Sequence, residues 1–364
     1  MNRSRWILFT AAILLAGCLI SLDAYRHYHD AGGRTRDALL SGMPTDASAV
    51  LFVDSTDLRR SLFSAQLYNW IPKSPADAEY TQFLRATRFD YERDLDRVAI
   101  AVIKNKDESQ LFAIAEGRFD RKKIEAYAAQ SGTRATQGGK EIFSVMLNEN
   151  ARKISFAFLS KDEMALTNSP DLATLLAPSR NSADAREWHE RFARVAGSPV
   201  FAILRQDAVA GSALASQTPR GFQSPQLSAL LNRLQWISLA AKPEEGALRI
   251  VTEGECANEQ TSRQLSDLLS GMLLLARAGL NGPQTRQQLD PQVRDAYLEM
   301  IKSADVSRLD RGETKSVRLV FDVTSQFLSA VSTAVPAAPA SMVPALPASK
   351  TPALKARSKK PVRN

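Results

Sequence analysis

The side chains most often used for chemistry are sparse in this 364-residue sequence, which has three histidines and two cysteines. His189 is the single histidine beyond residue 29, in the segment Glu187–Phe192 (Glu-Trp-His-Glu-Arg-Phe). A zinc-protease helix needs a second histidine four residues later, where this chain has Ala193. No Gly-x-Ser-x-Gly elbow supplies a serine nucleophile. We therefore predict that His189 is a surface or boundary residue of an amphipathic helix.

Four carboxylates alternate along one short segment. They are Asp90, Glu92, Asp94 and Asp96. A calcium loop needs a glycine at its sharp turn and a glutamate at its last position, but Leu95 stands at the turn and no glutamate closes the loop. Because Arg93 and Arg97 lie among these acids, we predict a self-paired, solvated segment that leads into a strand.

Two other patterns have some features of binding sites. His27 and His29, next to an aspartate, would hold a metal loosely, although two neighbouring tyrosines favour a membrane–water interface instead. The segment Gly138–Lys140 (Gly-Gly-Lys) lacks the Ser or Thr of a phosphate loop and precedes a strand-like run, so we predict a hairpin turn. No Gly-x-Gly-x-x-Gly motif is present. We therefore expect no cofactor and no metal site.

The formal charge of +8 resides at the two ends of the chain. Residues 335–364 carry six basic residues and no acid, and residues 1–39 carry five arginines and three aspartates. Residues 40–334 are therefore neutral overall, which argues against a body built to bind nucleic acid. The cations of this C-terminal tail are candidates for contact with an anionic surface, either lipid or wall polymer. The alternative is that the tail only increases solubility. The tail cations include Lys355, Arg357, Lys359, Lys360 and Arg363.

An uncharged apolar run, Trp6–Leu22, follows two arginines close to the N-terminus. Its length is at the lower limit for a helix that crosses a bilayer. Within it, Leu15–Cys18 (Leu-Ala-Gly-Cys) resembles the lipobox of bacterial lipoproteins, which implies lipidation of Cys18. The run stays apolar beyond Cys18, which favours an uncleaved signal anchor. With either anchor we expect the body on the outer, periplasmic or extracellular, side of the cell membrane.

Strand-like and helical patterns predict an α+β fold of mostly antiparallel sheet packed with helices. In the first half, Val98–Ile103 and Leu111–Glu116 are joined by a polar turn and precede a helix from Arg121. In the second half, Trp236–Ala240, Leu248–Gly254 and a long helix repeat that order. We therefore predict two related lobes behind a single N-terminal apolar helix. The predicted divisions are an anchor or lipoprotein signal at 1–22, a spacer at 23–42, lobes at 43–196 and 197–334, and a Pro/Ala-rich basic disordered tail at 335–364.

The start of the body, Met43–Asp54 (Met-Pro-Thr-Asp-Ala-Ser-Ala-Val-Leu-Phe-Val-Asp), resembles that of uncharacterised bacterial envelope-anchored proteins. The resemblance implies a single anchor and no assigned activity. We expect a membrane-anchored, non-catalytic envelope protein that binds a partner or ligand through its two-lobed exported domain. The alternative is a carboxylate-dependent enzyme acting on cell-wall glycans, which would need two facing carboxylates free of Arg and Lys. The body has 36 of the 39 acidic residues, so the sequence does not reject this alternative, but its lack of catalytic motifs favours a non-enzyme.

Overall fold

The computed structural model describes residues 36–61, 63, 78–104, 109–147, 152–169, 171–176, 182–206, 232–244 and 246–334. The apolar run with Cys18 and the tail cations fall outside these residues, as do the spacer histidines. Within the described ranges, every helix is too short or too polar to cross a bilayer.

Twelve strands form one antiparallel sheet. They are β1 (Ala49–Asp54), β2 (Leu95–Lys104), β3 (Ser109–Gly117), β4 (Gly132–Gln137), β5 (Lys140–Leu147), β6 (Arg152–Phe158), β7 (Glu163–Thr167), β8 (Val200–Arg205), β9 (Leu234–Glu244), β10 (Ala247–Cys256), β11 (Asp305–Arg311) and β12 (Thr314–Thr324). The strand order is β11-β12-β10-β9-β8-β1-β2-β3-β7-β6-β5-β4. The expected α+β class with a large antiparallel sheet is confirmed.

Helices lie before, between and after these strands. They are α1 (36–41), α2 (Ser55–Arg60), α3 (Ala78–Thr87), α4 (Tyr91–Asp94), α5 (Arg121–Ser131), α6 (Leu172–Leu175), α7 (Ser182–Arg194), α8 (Glu259–Asn281), α9 (Pro283–Gln288), α10 (Pro291–Ser303) and α11 (Ser325–Ala334). Asparagine and aspartate side chains begin several of them by accepting a backbone N–H, as Asp120 does for α5 and Asn258 for α8.

Strands β1 and β8 lie side by side at the centre of the sheet, where Phe52 and Phe201 are directly opposite and their rings stack at 5.1 Å. The sheet runs outward from this pair through β1-β2-β3 on one side and β8-β9-β10 on the other. Both predicted hairpins, β2–β3 and β9–β10, are antiparallel, as expected. Each leads into a helix, α5 or α8.

Alternate residues of the central strands face a buried core, and we call this side of the sheet the core face. Val50, Phe52, Phe201 and Ile203 are almost fully buried there. They belong to a cluster that also includes residues of α1, α6 and α7. Trp188 of α7 packs into this cluster, and its indole N–H donates to the Thr45 carbonyl at 3.1 Å. A buried tryptophan with a satisfied N–H fixes α7 on the sheet.

The opposite side, which we call the open face, carries a cross-strand row that is apolar except for Thr252. Following directly paired residues from β5 to β11, the row is Phe143, Phe156, Leu166, Ala113, Ile100, Leu51, Ala202, Leu239, Thr252, Leu319 and Val306. Helix α5 covers one end, where Ile124 packs with Phe143. Helix α8 packs on the same face at the other end, where Leu265 contacts Val317.

Two local predictions from the sequence are wrong in their boundaries. The pair Ser169-Pro170 predicts a helix cap at Ser169, but Asp171 caps α6, and its carboxylate accepts the Thr174 N–H at 3.1 Å. The sequence also predicts a helix over Val323–Val331, but α11 begins at Ser325, because β12 continues pairing with β10 as far as Thr324. The predicted turn at Gly138 is confirmed between β4 and β5, where the positive φ of 57° suits a glycine.

Candidate functional site: an apolar groove between two helices

The buried carboxylates of the described residues all lie in ion pairs. They are Asp54, Asp94, Glu253 and Glu255. Asp54 pairs with Arg97 at 2.8 Å, and Glu255 pairs with Arg191 at 2.6 Å. Although burial raises it, the pKa of Glu253 stays below its usual range because Arg311 donates to its carboxylate. Carboxylates held ionised by arginines stabilise the fold and are poor proton donors.

Glu116 and Glu163 are directly opposite on β3 and β7. Glu116 accepts from Arg97 at 3.0 Å, whereas burial and the neighbouring Glu116 charge raise the pKa of Glu163. A carboxylate beside a carboxyl with a raised pKa is an acid–base combination in principle. Neither residue lines the cavities of about 650, 440 and 280 Å³ that lie elsewhere among the described residues.

The alternating acidic segment is partly self-paired. Arg93 pairs with Asp94 at 2.7 Å, as predicted, and this interaction lowers the pKa of Asp94 to about 2. Arg97 pairs outside the segment instead, with Asp54 and Glu116, because its position on β2 directs it towards the neighbouring strands. Over the described residues, no three His, Cys, Asp or Glu side chains are grouped closely enough to hold a metal ion.

His189 is exposed on α7, in agreement with the prediction of a surface position. It lines an open cavity of about 650 Å³ between α1 and α7. Ser41 lines the same cavity, but its hydroxyl already donates to the Ala38 carbonyl at 2.8 Å. The second cysteine, Cys256, is buried, and burial raises its pKa to about 11. A thiol with this pKa stays protonated and is a poor nucleophile.

The feature best suited to binding is a cavity of about 280 Å³ on the open face, which we call the apolar groove. It lies between α8 and α10 above β12. Its lining residues are Leu269, Met272, Leu273, Ala276, Tyr297, Met300, Ile301, Ala304, Leu319 and Phe321. The four α8 residues recur at helical spacing and so share one side of that helix. An apolar lining of this kind is typical of small-molecule sites, whose volumes begin at about 300 Å³.

The other sides of α8 at this level are also apolar. Leu274 and Leu275 are 69% and 71% exposed, the highest values among the exposed large apolar residues of the described chain. The helix is therefore apolar all round from Met272 to Ala276, a pattern normally found where a helix is covered on every side. Leu319 at the floor of the apolar groove also belongs to the cross-strand row, so the groove continues the apolar surface of the open face.

One cation lies at the edge of the apolar groove. Arg277 follows the lining residue Ala276 and donates from Nη2 to the carbonyl of Ile301, another lining residue, at 2.9 Å. Across the described residues, no carboxylate lies within 4.0 Å of its guanidinium. An arginine has five N–H donors, so most of its hydrogen-bonding capacity is left for another acceptor.

Sequence reasoning missed one wall of this groove, helix α10. The chain does carry a signal for it, since Asp290 caps the helix and Pro291 occupies its first position. The residues singled out from the sequence, Cys18 and the five tail cations at 355–363, lie outside the described residues.

Comparisons with known proteins give similarities to solved structures alone. No family model and no curated protein matches this sequence. A crystal structure of TP0453 (form III) has a TM-score of 0.42 and 10% identity, covering 81% of this chain and 97% of that chain. TP0453 form I gives a TM-score of 0.39 and 8% identity, covering 82% and 97%. TP0453 form IV gives 0.40 and 10%, covering 80% and 96%.

Proposed function

We propose that this chain is a membrane-anchored, non-catalytic envelope protein that binds an apolar ligand or partner through its exported domain. The observation that supports binding is the apolar groove, which is lined by ten residues of which only Tyr297 carries a polar side-chain group. When an apolar ligand enters this cavity, apolar surface is removed from water. That burial stabilises the complex by about 25 cal/mol per Å².

The anchor in this proposal is the uncharged run Trp6–Leu22, used either as a transmembrane helix or, after lipidation of Cys18, as a lipoprotein signal. Arg3 and Arg5 on its N-terminal side favour an outward-facing body. The basic tail, with Lys355 and Arg363 among its cations, is proposed to contact anionic lipid or wall polymer. Nucleic acid is disfavoured by the neutral body.

We also propose that the body consists of two related lobes, at 43–196 and 197–334. Three observations support this division. Each half begins with a strand of the central pair, β1 or β8, and continues outward through an antiparallel hairpin. The helix after each hairpin, α5 or α8, packs on the open face. Each hairpin carries Glu-Gly near its end, since residues 116–117 close β3 and residues 253–254 lie two residues before the end of β10.

The carboxylate-dependent glycan enzyme is the less favoured alternative. It would need two facing carboxylates without cationic partners in a cleft. Among the described residues, the buried carboxylates are paired with arginines, and Glu116 of the Glu116–Glu163 combination is paired with Arg97.

The test is photocrosslinking in membranes that contain the full chain, with a decanol analogue bearing a diazirine on its alkyl chain. The proposed function predicts crosslinks on groove residues of α8 and α10, with the apolar run Trp6–Leu22 as internal reference for labelling within the bilayer. Ala276→Trp fills the groove and should remove the groove crosslinks. Ala278→Trp, on an exposed position of the same helix, is the matched control and should retain them. Absence of groove crosslinks, or equal loss in both variants, would contradict the proposed function.

A further inference from the structure

The edge of the apolar groove combines an apolar cavity with an unpaired positive charge. Arg277 reaches from α8 to the Ile301 carbonyl at the end of α10, so its guanidinium is held beside the groove. Three other arginines of the second half, by contrast, each pair with a carboxylate. Arg249 pairs with Asp322, Arg263 with Glu259, and Arg311 with Glu253. Within the described residues Arg277 has no such carboxylate.

The dimensions of the groove restrict the apolar part of a ligand. A cavity of about 280 Å³ lies just below the usual range for small-molecule sites, so it has room for one alkyl chain and not for a protein helix. Its walls combine two methionines, whose flexible side chains adapt to irregular shapes, with leucine, isoleucine and aromatic side chains.

We propose that the apolar groove binds the alkyl chain of a fatty acid and that Arg277 pairs with the carboxylate of that fatty acid. This inference rests on the proposed function and adds to it the chemical class of the ligand. Transfer of the alkyl chain from water into the groove stabilises the complex. The guanidinium adds charge-assisted hydrogen bonds, which distinguish a carboxylate from a neutral head group. A guanidinium can donate two parallel hydrogen bonds to a carboxylate, which fixes the orientation of the chain.

The experiment compares two competitors in membranes that contain the full chain. Groove crosslinking by a diazirine-bearing decanoate is measured while unlabelled decanoate or unlabelled decanol is titrated in. We expect decanoate to halve the crosslinking at a concentration about tenfold or more below that of decanol, since one charge-assisted hydrogen bond is sufficient for that ratio. Arg277→Gln should remove the difference between the two competitors, and Arg277→Lys should retain part of it. Arg263→Gln, on the same helix and away from the groove, should leave it unchanged.

The outcomes separate this inference from the function on which it rests. If decanol and decanoate compete equally, or if Arg277→Gln leaves their ratio unchanged, the fatty-acid assignment is wrong while apolar binding stands. If neither probe crosslinks the groove, both proposals are wrong. Crosslinks confined to Leu274 and Leu275 would show that α8 contacts the bilayer with its outer side, which would also overturn the assignment.

Discussion

Replacement of Glu255 by glutamine tests how the two halves of the protein are held together. Glu255 of β10 accepts from Arg191 at 2.6 Å and from Arg194 at 2.7 Å, and both arginines belong to α7. The side chains of Arg191 and Glu255 are only 10% and 6% exposed. Glu255→Gln keeps the size of the side chain but leaves two cations in a poorly solvated position without their shared counter-charge.

Removing one partner of a buried ion pair typically costs about 3–5 kcal/mol. Arg194 also lies 4.0 Å from Glu253, which retains part of the compensation. The guanidinium of Arg191 sits over the Trp236 ring at 3.9 Å and keeps that contact as well. We therefore expect a loss at the lower end of the range, about 3 kcal/mol in the free energy of unfolding.

The same contacts predict cooperative unfolding of the two halves. Helix α7 comes from the first half, while Glu255 and Trp236 come from the second. Trp188 of α7 packs edge-to-face on Trp236 with ring centroids 4.9 Å apart, within the core cluster that spans β1 and β8. Because the interface is buried and continuous, we expect one unfolding transition that Glu255→Gln shifts as a whole.

Urea unfolding of the full chain, followed by tryptophan fluorescence and by circular dichroism, measures this loss. Glu259→Gln is the matched control, since Glu259 is 45% exposed and pairs with Arg263 and Arg308 at the surface. Its cost should stay below about 1 kcal/mol. Similar losses for both variants, or two separate transitions of which only one moves, would refute the argument that a buried pair joins the halves.

Three further predictions follow from the same structure. Leu265 is 3% exposed, so thermal unfolding of Leu265→Asp should show a free energy of unfolding lowered by about 3 kcal/mol or more. Leu274→Asp, at an exposed position of the same helix, should change it by less than about 0.5 kcal/mol. Comparable effects would show that α8 is placed wrongly. The pKa of Asp94 is lowered to about 2, so its ionised form stabilises the fold above the unfolded pKa of about 4 and this contribution is lost as the pH falls towards 2. Asp94→Asn should therefore lower the free energy of unfolding by about 1–2 kcal/mol at pH 7, a range that allows for the solvent exposure of Arg93, and by much less at pH 2. An equal loss at both pH values in urea titrations would contradict this pH dependence. Cys18→Ser should leave membrane fractionation and processing unchanged if the anchor is transmembrane, whereas a shift in molecular mass with loss of retention would identify a lipoprotein.

The strands that sequence reasoning located are those with apolar runs between polar turns. Val98–Ile103 and Leu111–Glu116 belong to β2 and β3, because strands in the middle of a sheet carry the apolar residues of at least one buried face. Strand β4 was missed, since its sequence Gly-Thr-Arg-Ala-Thr-Gln has no apolar alternation. It is an edge strand exposed along nearly its whole length, so its pairing with β5 leaves no apolar pattern in the sequence.

The apolar groove shows why the candidate site was harder to predict than the sheet. The run Met272–Ala276 indicates a helix with apolar residues on every side, and periodicity alone does not say which side is covered. The covered side is determined by α10, which lies beside Leu273 and Ala276 and leaves Leu274 and Leu275 exposed to solvent. Because α10 belongs to no predicted hairpin or repeat, its position against β12 is set by tertiary packing. One wall of the groove that supports the proposed function is therefore built by an element outside the predicted pattern of related halves.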